Sequence, residues 1–297
     1  MTEQIFPDRV SFYSEDAELV GYFYRPPELT GNLACIVMAA GLGGTQDMPA
    51  HAGTAADFAR AGFGVLTFDY RNFGESEGEP RQVVDIKKQL NDLKAAVAWA
   101  RIHPDINPDK IILWGTSLGG EHVVMLAADD RRIAAVVAQN PYNGVPKHMD
   151  RPAEQARELV MATSRDKMRG WLGRQPYYIP ITGTPDTVSV MANEEANEMM
   201  ERMTSKTWRN KVAPRVLAQL AKYKPGKKAN EVLMPLMVCV GKNDKEAPPE
   251  LANELAQKAP LGQLKTYPFG HFDFYKIAHR HEVIEDQVKF LRTYVPV

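Results

Sequence analysis

The chain has 297 residues, 25% of them charged, with a formal net charge of -1 at pH 7. That length suits one large α/β core with an insertion, and the balanced charge provides no whole-molecule field to gather nucleic acid or an anionic membrane, so a small neutral substrate fits better. Met1 leads into polar Thr2-Glu3-Gln4 with no basic and apolar leader, and no apolar run approaches membrane-spanning length, which points to a cytoplasmic protein.

Residues 10–14 and 19–25 alternate or are rich in aromatics on either side of Glu15-Asp16, the pattern of a β-hairpin, and Pro26-Pro27 ends it. Residues 34–39 are continuously apolar, as in a strand covered on both faces, and run into Gly41-Leu42-Gly43-Gly44. Small and apolar residues at helical spacing over 51–61, closed by Gly62, lead to another buried strand at 64–69. Residues 85–100 place Ile86, Leu90, Leu93, Val97 and Ala100 on one helical face. Pro104, Asn107 and Pro108 then make a turn into the strand Ile111-Ile112-Leu113-Trp114, which is followed by a helix to about residue 128 and a strand at 133–138. Strands alternating with helices predict a mostly parallel sheet with helices on both faces.

The pattern changes after Asn140-Pro141. From there to about residue 230 no strong buried strand is legible, only helical pieces at 153–162, 194–203 and 212–221 between loops bearing Gly, Pro and Tyr. This predicts a mostly helical cap at 141–230 inserted into a core made of 1–140 and 231–297. The core resumes with a strand at 236–240, a helix at 249–258, a short strand at 264–267 and a last helix at 282–294. Cys35 and Cys239 fall inside apolar strands as small hydrophobes, form neither a metal spacing nor a disulfide framework, and suit a reducing compartment.

Gly115-Thr116-Ser117-Leu118-Gly119 sits where an apolar strand turns sharply into a helix. In a G-x-S-x-G elbow only very small neighbours two residues away on each side let strand and helix approach, and the strained serine is aimed out of the fold. A serine hydroxyl is a weak nucleophile, so it needs a base and a group that orients the base. Asp244 follows a buried strand, and His271 lies between the last strand and the last helix. Asp273 is a rival acid, but two residues from the histidine it reaches the far side of the ring with difficulty. His51, His103, His148, His279 and His281 sit in helix or loop settings without a chemical signature, and His122 lies along the helix after Ser117. An acyl-transfer intermediate also needs amides aimed at its oxyanion, and the backbone N–H groups of Leu42 and Leu118 are the candidates. Gly41-Leu42-Gly43-Gly44 has neither the P-loop spacing nor the G-x-G-x-x-G pattern, so no nucleotide cofactor is implied, and no metal.

These residues resemble the α/β-hydrolase superfamily over nearly the whole chain. Gly115 to Gly119 is similar to its nucleophile elbow, Asp244 and His271 to its acid and base in the same chain order, and Asp69-Tyr70-Arg71-Asn72-Phe73-Gly74-Glu75-Ser76 to its D-x-R-x-x-G-x-S turn after the fourth strand. Where the family often has His-Gly before the oxyanion loop, this chain has Ala40-Gly41, which removes a side chain that braces the loop. Gly270-His271-Phe272-Asp273 with Tyr275, Trp208-Arg209-Asn210-Lys211-Val212 and Tyr223-Lys224-Pro225 are similar to the loose group of dienelactone hydrolases, acetyl xylan esterases and Xaa-Pro dipeptidyl peptidases, although dienelactone hydrolases proper use cysteine where this chain has Ser117. The resemblance implies a serine hydrolase cleaving a carboxylic ester, lactone or thioester of a small to medium, partly hydrophobic substrate through an acyl-enzyme. An Xaa-Pro-type peptidase and a C–C bond hydrolase are alternatives with the same three residues. A ligand-binding protein that has kept the fold and lost turnover is an alternative of another class. A homodimer remains an open expectation.

Overall fold

A computed structural model of the chain describes residues 5–27, 31–144 and 151–297. His148 and the Thr2-Glu3-Gln4 start lie outside the described residues. β1 (Asp8–Ser14) and β2 (Ala17–Tyr24) form the expected antiparallel hairpin, and Glu15 at its tip takes φ 55°. Then follow β3 (Leu33–Ala39), α1 (Pro49–Arg60), β4 (Gly64–Phe68), α2 (Ile86–Ile102), β5 (Ile106–Thr116), α3 (Leu118–Asp129) and β6 (Ala135–Gln139). After α4 (Ala153–Trp171), the two-residue strands β7 (Thr182–Gly183) and β8 (Met191–Ala192), α5 (Glu194–Arg202) and α6 (Val216–Leu220), the chain returns through β9 (Leu236–Gly241), α7 (Pro249–Lys258), β10 (Gly262–Tyr267) and α8 (Ile277–Tyr294).

One eight-stranded sheet has the order β1-β2-β4-β3-β5-β6-β9-β10, antiparallel from β1 to β4 and parallel thereafter. The continuous apolar runs have their reason here: every residue of β3, β4, β6 and β9 is buried, because helices cover both faces. Successive side chains point to opposite sides. Val37, Leu113 and Val136 pack with Leu93, Val123 and Leu255 on one face. Ile36, Ile112 and Val137 pack with Phe58, Val283 and Leu291 on the other.

Several boundaries differ from the sequence expectation, among them the end of α4, which runs on to Trp171 instead of stopping at 162. β5 begins at Ile106, so Asn107 and Pro108 lie in a strand instead of a turn. Ile106 pairs with Leu33, and the register shifts before Cys35 meets Ile111, so the proline sits in the irregular part of the ladder, where a missing amide is tolerated. α6 is confined to Val216–Leu220, because Pro214 favours extended backbone before it and Val212 instead bridges Ile179. α8 starts at Ile277, its first turn docked on α1 by Arg280 Nε and Asp57 Oδ2 at 3.2 Å.

Described residues between β6 and β9, among them Leu159, Met191, Met200 and Leu217, share the wall of one cavity with Ser117 after β5 and Asp244 after β9. Ile181, Met199, Val212 and Val216 belong to the same buried cluster as Leu66 and Leu113 of the sheet. Asp166 of α4, fully buried, accepts two bonds from the Arg215 guanidinium at 2.6 and 2.8 Å and two from the amides of Tyr177 and Arg215. That pair fixes α4 to the segment ahead of α6. Among the described residues no helix is long and apolar enough to cross a membrane.

Candidate active site

Ser117 stands between β5 and α3 with φ 53° and ψ -120°, a backbone state that costs about 1–3 kcal/mol for a residue with a side chain. The glycines around it explain how the turn is reached. A Cβ on Gly115 would lie 2.2 Å from the Gly119 carbonyl oxygen, and one on Gly119 would lie 2.1 Å from that of Ala39. The bend is held from both sides: the Ser117 amide donates to Gln139 O at 2.9 Å, and Thr116 Oγ1 bonds Tyr275 OH at 2.9 Å. Beneath it Gln287 links Trp114 Nε1 to Gln139 Oε1 at 3.0 and 3.1 Å.

Two loops at the ends of β9 and β10 bring the acid to the base. The Lys242 amide donates to Tyr267 O and the Asn243 amide to Phe269 O, both at 2.9 Å, and a Cβ on Gly241 would lie 2.5 Å from Phe269 O. So close an approach seats Asp244 against His271: Asp244 Oδ2 lies 2.7 Å from His271 Nδ1. The other oxygen of Asp244 accepts from the amides of Glu246 at 2.9 Å and Ala247 at 2.7 Å, which fixes the carboxylate plane. The His271 carbonyl accepts from Asn140 Nδ2 at 3.1 Å, anchoring the histidine loop to the end of β6. Burial disfavours the charged ring, yet the Asp244 carboxylate and its hydrogen bond, with Glu246 and Glu195 further off, hold the imidazole above its ordinary value. Asp273, the rival acid, turns away: it accepts from the Gly270 amide at 2.8 Å and pairs with Lys276 at 2.5 Å.

Ser117 and His271 line one cavity of about 1140 Å³, with Leu42, Leu118 and Asp244 also in its wall. Among the described residues, the hydrogen bond the ring nitrogens make is the one through Nδ1 to Asp244, and Ser117 Oγ makes none to the ring. Among the described residues the far nitrogen, Nε2, makes no hydrogen bond to the protein. Among the described residues, neither the Leu42 nor the Leu118 amide donates to a protein acceptor. Leu118 opens α3, where the helix dipole adds positive character, and Gly41 lies against Ser117, its missing Cβ 3.3 Å from Ser117 Cβ.

Sequence reasoning missed the brace of the Gly41 loop. The Gln46 amide and Nε2 donate to the two oxygens of Asp69 at 2.8 and 3.2 Å, and the Glu75 amide donates to Asp69 Oδ2 at 2.9 Å. Asp69, raised to about 6 by burial, therefore ties the loop to the D-x-R-x-x-G-x-S turn where a loop histidine is lacking. A Cβ on Gly74 would lie 2.0 Å from Asp69 Oδ2, so the glycine of that turn makes room for the carboxylate. His51 is buried in the cavity wall and is pushed down to about 4 by burial. His122 bonds Tyr223 OH at 2.9 Å and Gln89 Oε1 at 3.1 Å, so both ring nitrogens are engaged away from Ser117. His279 stacks on the Phe269 ring, His103 packs at a tilt against Phe23, and His281 faces Asp57 at 3.5 Å. No group of three or more metal-ligating side chains occurs among the described residues.

The family model described as "Serine aminopeptidase, S33" matches residues 31–272 of the chain. Over 294 residues the chain is 37% identical to the quorum-quenching protein AidA of Acinetobacter baumannii (strain MDR-ZJ06), covering 98% of this chain and 96% of that one. It is 28% identical over 226 residues to the thiohydrolase apmlB of Arthrinium phaeospermum, covering 73% and 72% of the two chains. Among solved structures it is similar to DcsB, determined in complex with its substrate analogue, with TM-score 0.83 and 23% identity over 98% of this chain and all (100%) of that one. Est1E of Butyrivibrio proteoclasticus, determined with ferulic acid bound, matches with TM-score 0.67 and 16% identity over 97% and 100%. At such identities these two likenesses speak for the fold.

Proposed function

The chain belongs to the serine aminopeptidase S33 family of α/β-hydrolases, and from that premise we propose that Ser117, His271 and Asp244 act together as nucleophile, base and orienting acid in the hydrolysis of an ester, lactone or thioester. The observation that carries this reading is the imidazole tethered through Nδ1 to Asp244 at 2.7 Å in the cavity that the strained Ser117 also lines.

With Nδ1 donating to Asp244, Nε2 carries the lone pair that takes the Ser117 proton as Oγ attacks the carbonyl carbon. The carbonyl oxygen becomes an oxyanion, which the Leu42 and Leu118 amides stabilise by hydrogen bonds worth about 3 kcal/mol each in such sites. Collapse of this intermediate breaks the bond to the leaving oxygen or sulfur, and the imidazolium returns its proton to that atom. Water then gives a proton to Nε2 and attacks the acyl-enzyme, releasing the acid and restoring Ser117. An imidazole held above its ordinary value by Asp244 is a stronger base, at the cost of a smaller neutral fraction in acid.

The cavity favours a medium-sized acyl group. Met48, Met200, Met203, Leu217 and Leu220 supply adaptable apolar wall, and its volume of about 1140 Å³ exceeds what a short ester fills. The apolar wall and the name thiohydrolase borne by one relative support an acyl ester or thioester ahead of an amide. Both cysteines are free and buried, which supports a place in the cytoplasm.

The test is a substrate panel on the purified enzyme: acyl p-nitrophenyl esters of increasing chain length, acyl thioesters, lactones and proline-containing aminoacyl amides. The expected result is turnover of the esters and thioesters with kcat/KM rising into the medium chain lengths. Turnover restricted to the aminoacyl amides replaces this reading with a peptidase.

A further inference from the structure

We propose that the outward face of α4 docks on an anionic lipid surface, with the mouth of the cavity held toward it. The docking rests on observations independent of the proposed function; only the entry of substrate from the lipid depends on that reading.

α4 is amphipathic in an unusual way. Its inner side carries Ala162 and Asp166, both buried, while Val160, Met161, Met168 and Trp171 on the opposite side are 65%, 62%, 59% and 85% exposed. At 100° per residue these four fall within about a third of the helix circumference, so they form one stripe instead of scattered hydrophobics. A tryptophan and two methionines on one convex face are far from the isolated exposed leucine that any surface shows.

The charge around the stripe identifies its occupant. From Val160 onward the exposed charged side chains of the helix and the turn after it are Arg165, Lys167 and Arg174, with Arg169 half-buried; the acid in that span, Asp166, is buried against Arg215. Glu154 and Glu158 lie in the first two turns, next to Arg157. The cationic surface continues across the neighbouring loops. The Arg165 guanidinium lies over the Tyr177 ring at 4.3 Å and Lys211 Nζ over the adjacent Tyr178 ring at 4.9 Å. Lys211 bounds a shallow pocket with Arg81, Lys206 and Arg209, where Glu79 is the acid close to Arg81. Exposed Asp186, which lines the cavity with Lys167, counts against these cations, and with it included the net charge of -1 still hides a local excess of positive charge.

A basic, convex helix with Trp and Met on its apolar stripe is the signature of an interfacial helix, which needs anionic headgroups and an apolar layer but no shape-matched groove. A second copy fits less well. A two-fold contact through this stripe would set each row of cations against its own copy. The placement also has a use: Leu159, Val160, Thr163 and Lys167 line the cavity that contains Ser117, so α4 is at once its wall and its outer rim. A hydrophobic ester dissolved in the lipid would pass along α4 without crossing water.

The experiment is cosedimentation of the full-length protein with vesicles of phosphatidylcholine alone and of an equimolar mixture with phosphatidylglycerol. Wild type is expected to bind the mixed vesicles with a blue shift of tryptophan emission, to release as salt is raised, and to ignore phosphatidylcholine. Arg165→Gln/Arg174→Gln is expected to weaken partitioning about fivefold for each charge removed. Met168→Ser/Trp171→Ser is expected to abolish the binding while turnover of a short, water-soluble ester stays at the wild-type value. Absence of binding to mixed vesicles, or equal binding by the variants, overturns the proposal. So does self-association of wild type that Met168→Ser/Trp171→Ser removes, which assigns the stripe to a second copy. Retention on immobilised polyglutamate without vesicle binding overturns it in favour of an acidic polypeptide. Short-ester turnover is read in the same samples, so loss of the proposed function and loss of docking are separate results.

Discussion

Replacing Asp244 by asparagine changes one atom, and the surroundings dictate where the new amine goes. Oδ1 of Asp244 accepts from two backbone amides at 2.9 and 2.7 Å, a position that only an oxygen can occupy. The asparagine must therefore present its NH2 group to His271 Nδ1, where the carboxylate now accepts at 2.7 Å. A donor there forces Nδ1 to be the acceptor and moves the ring proton to Nε2, the atom that has to take the proton of Ser117. The base is then in the wrong tautomer, and the imidazolium loses the charge that stabilises it. A tautomer error of this kind costs about 10⁴-fold in kcat, or about 5.5 kcal/mol of transition-state stabilisation, with little change in KM. Both amides keep an acceptor, so stability measured by urea unfolding should fall by no more than about 1 kcal/mol. Asp244→Ala is the control: it orphans both amides and should cost about 1–3 kcal/mol in stability as well as the activity. The assay is hydrolysis of p-nitrophenyl butyrate by each purified variant. A loss in Asp244→Asn smaller than about tenfold would refute the argument, because the ring would then be oriented by something else.

Further outcomes follow from the same geometry. Gly119→Ala sets a methyl 2.1 Å from the Ala39 carbonyl oxygen in a packed backbone crossing, so it should destabilise the protein by about 3 kcal/mol or prevent folding, read as a lower urea midpoint or loss of soluble protein. Asp166→Ala leaves Arg215 and two amides without their partner and should cost about 3–5 kcal/mol, measured by the same unfolding curve. Protonated His271 cannot act as a base, and Asp244 raises the ring above its ordinary value, so kcat/KM should rise with pH through a midpoint above the ordinary 6.5. Removing the nearby charge in Glu246→Gln should move that midpoint down; an unchanged or higher midpoint would show that Glu246 does not act on the ring.

The parallel core was legible because its strands are buried on both faces and so read as unbroken apolar runs, as in Ile36-Val37-Met38 and Val136-Val137-Ala138. The elbow was legible for a different reason: two glycines at fixed spacing are the residues that survive where Gly115 meets the Gly119 carbonyl and Gly119 meets Ala39. The brace of the Gly41 loop was not. Gln46 and Asp69 are 23 residues apart, and nothing local marks a glutamine that hydrogen-bonds a carboxylate across the sheet edge. The choice of Asp244 over Asp273 was legible from position in the chain, because an acid two residues from the histidine reaches the far side of its ring with difficulty, and Asp273 folds back onto the Gly270 amide. His51 looked like an ordinary helix residue because only the tertiary packing of α1 shows that the cavity reaches its ring. The starts of β5 and α6 moved for nonlocal reasons too, the pairing of Ile106 with Leu33 and the bridge of Val212 to Ile179.

The claim on which the rest depends is that the Ser117 hydroxyl is the activated nucleophile. The direct measurement is intact mass after exposure to a fluorophosphonate, with and without His271→Ala and Ser117→Ala. The account requires one adduct on wild type, mapped to Ser117, none on Ser117→Ala, and labelling slowed by orders of magnitude in His271→Ala. An adduct of equal extent on Ser117→Ala, with ester hydrolysis undiminished, would contradict it.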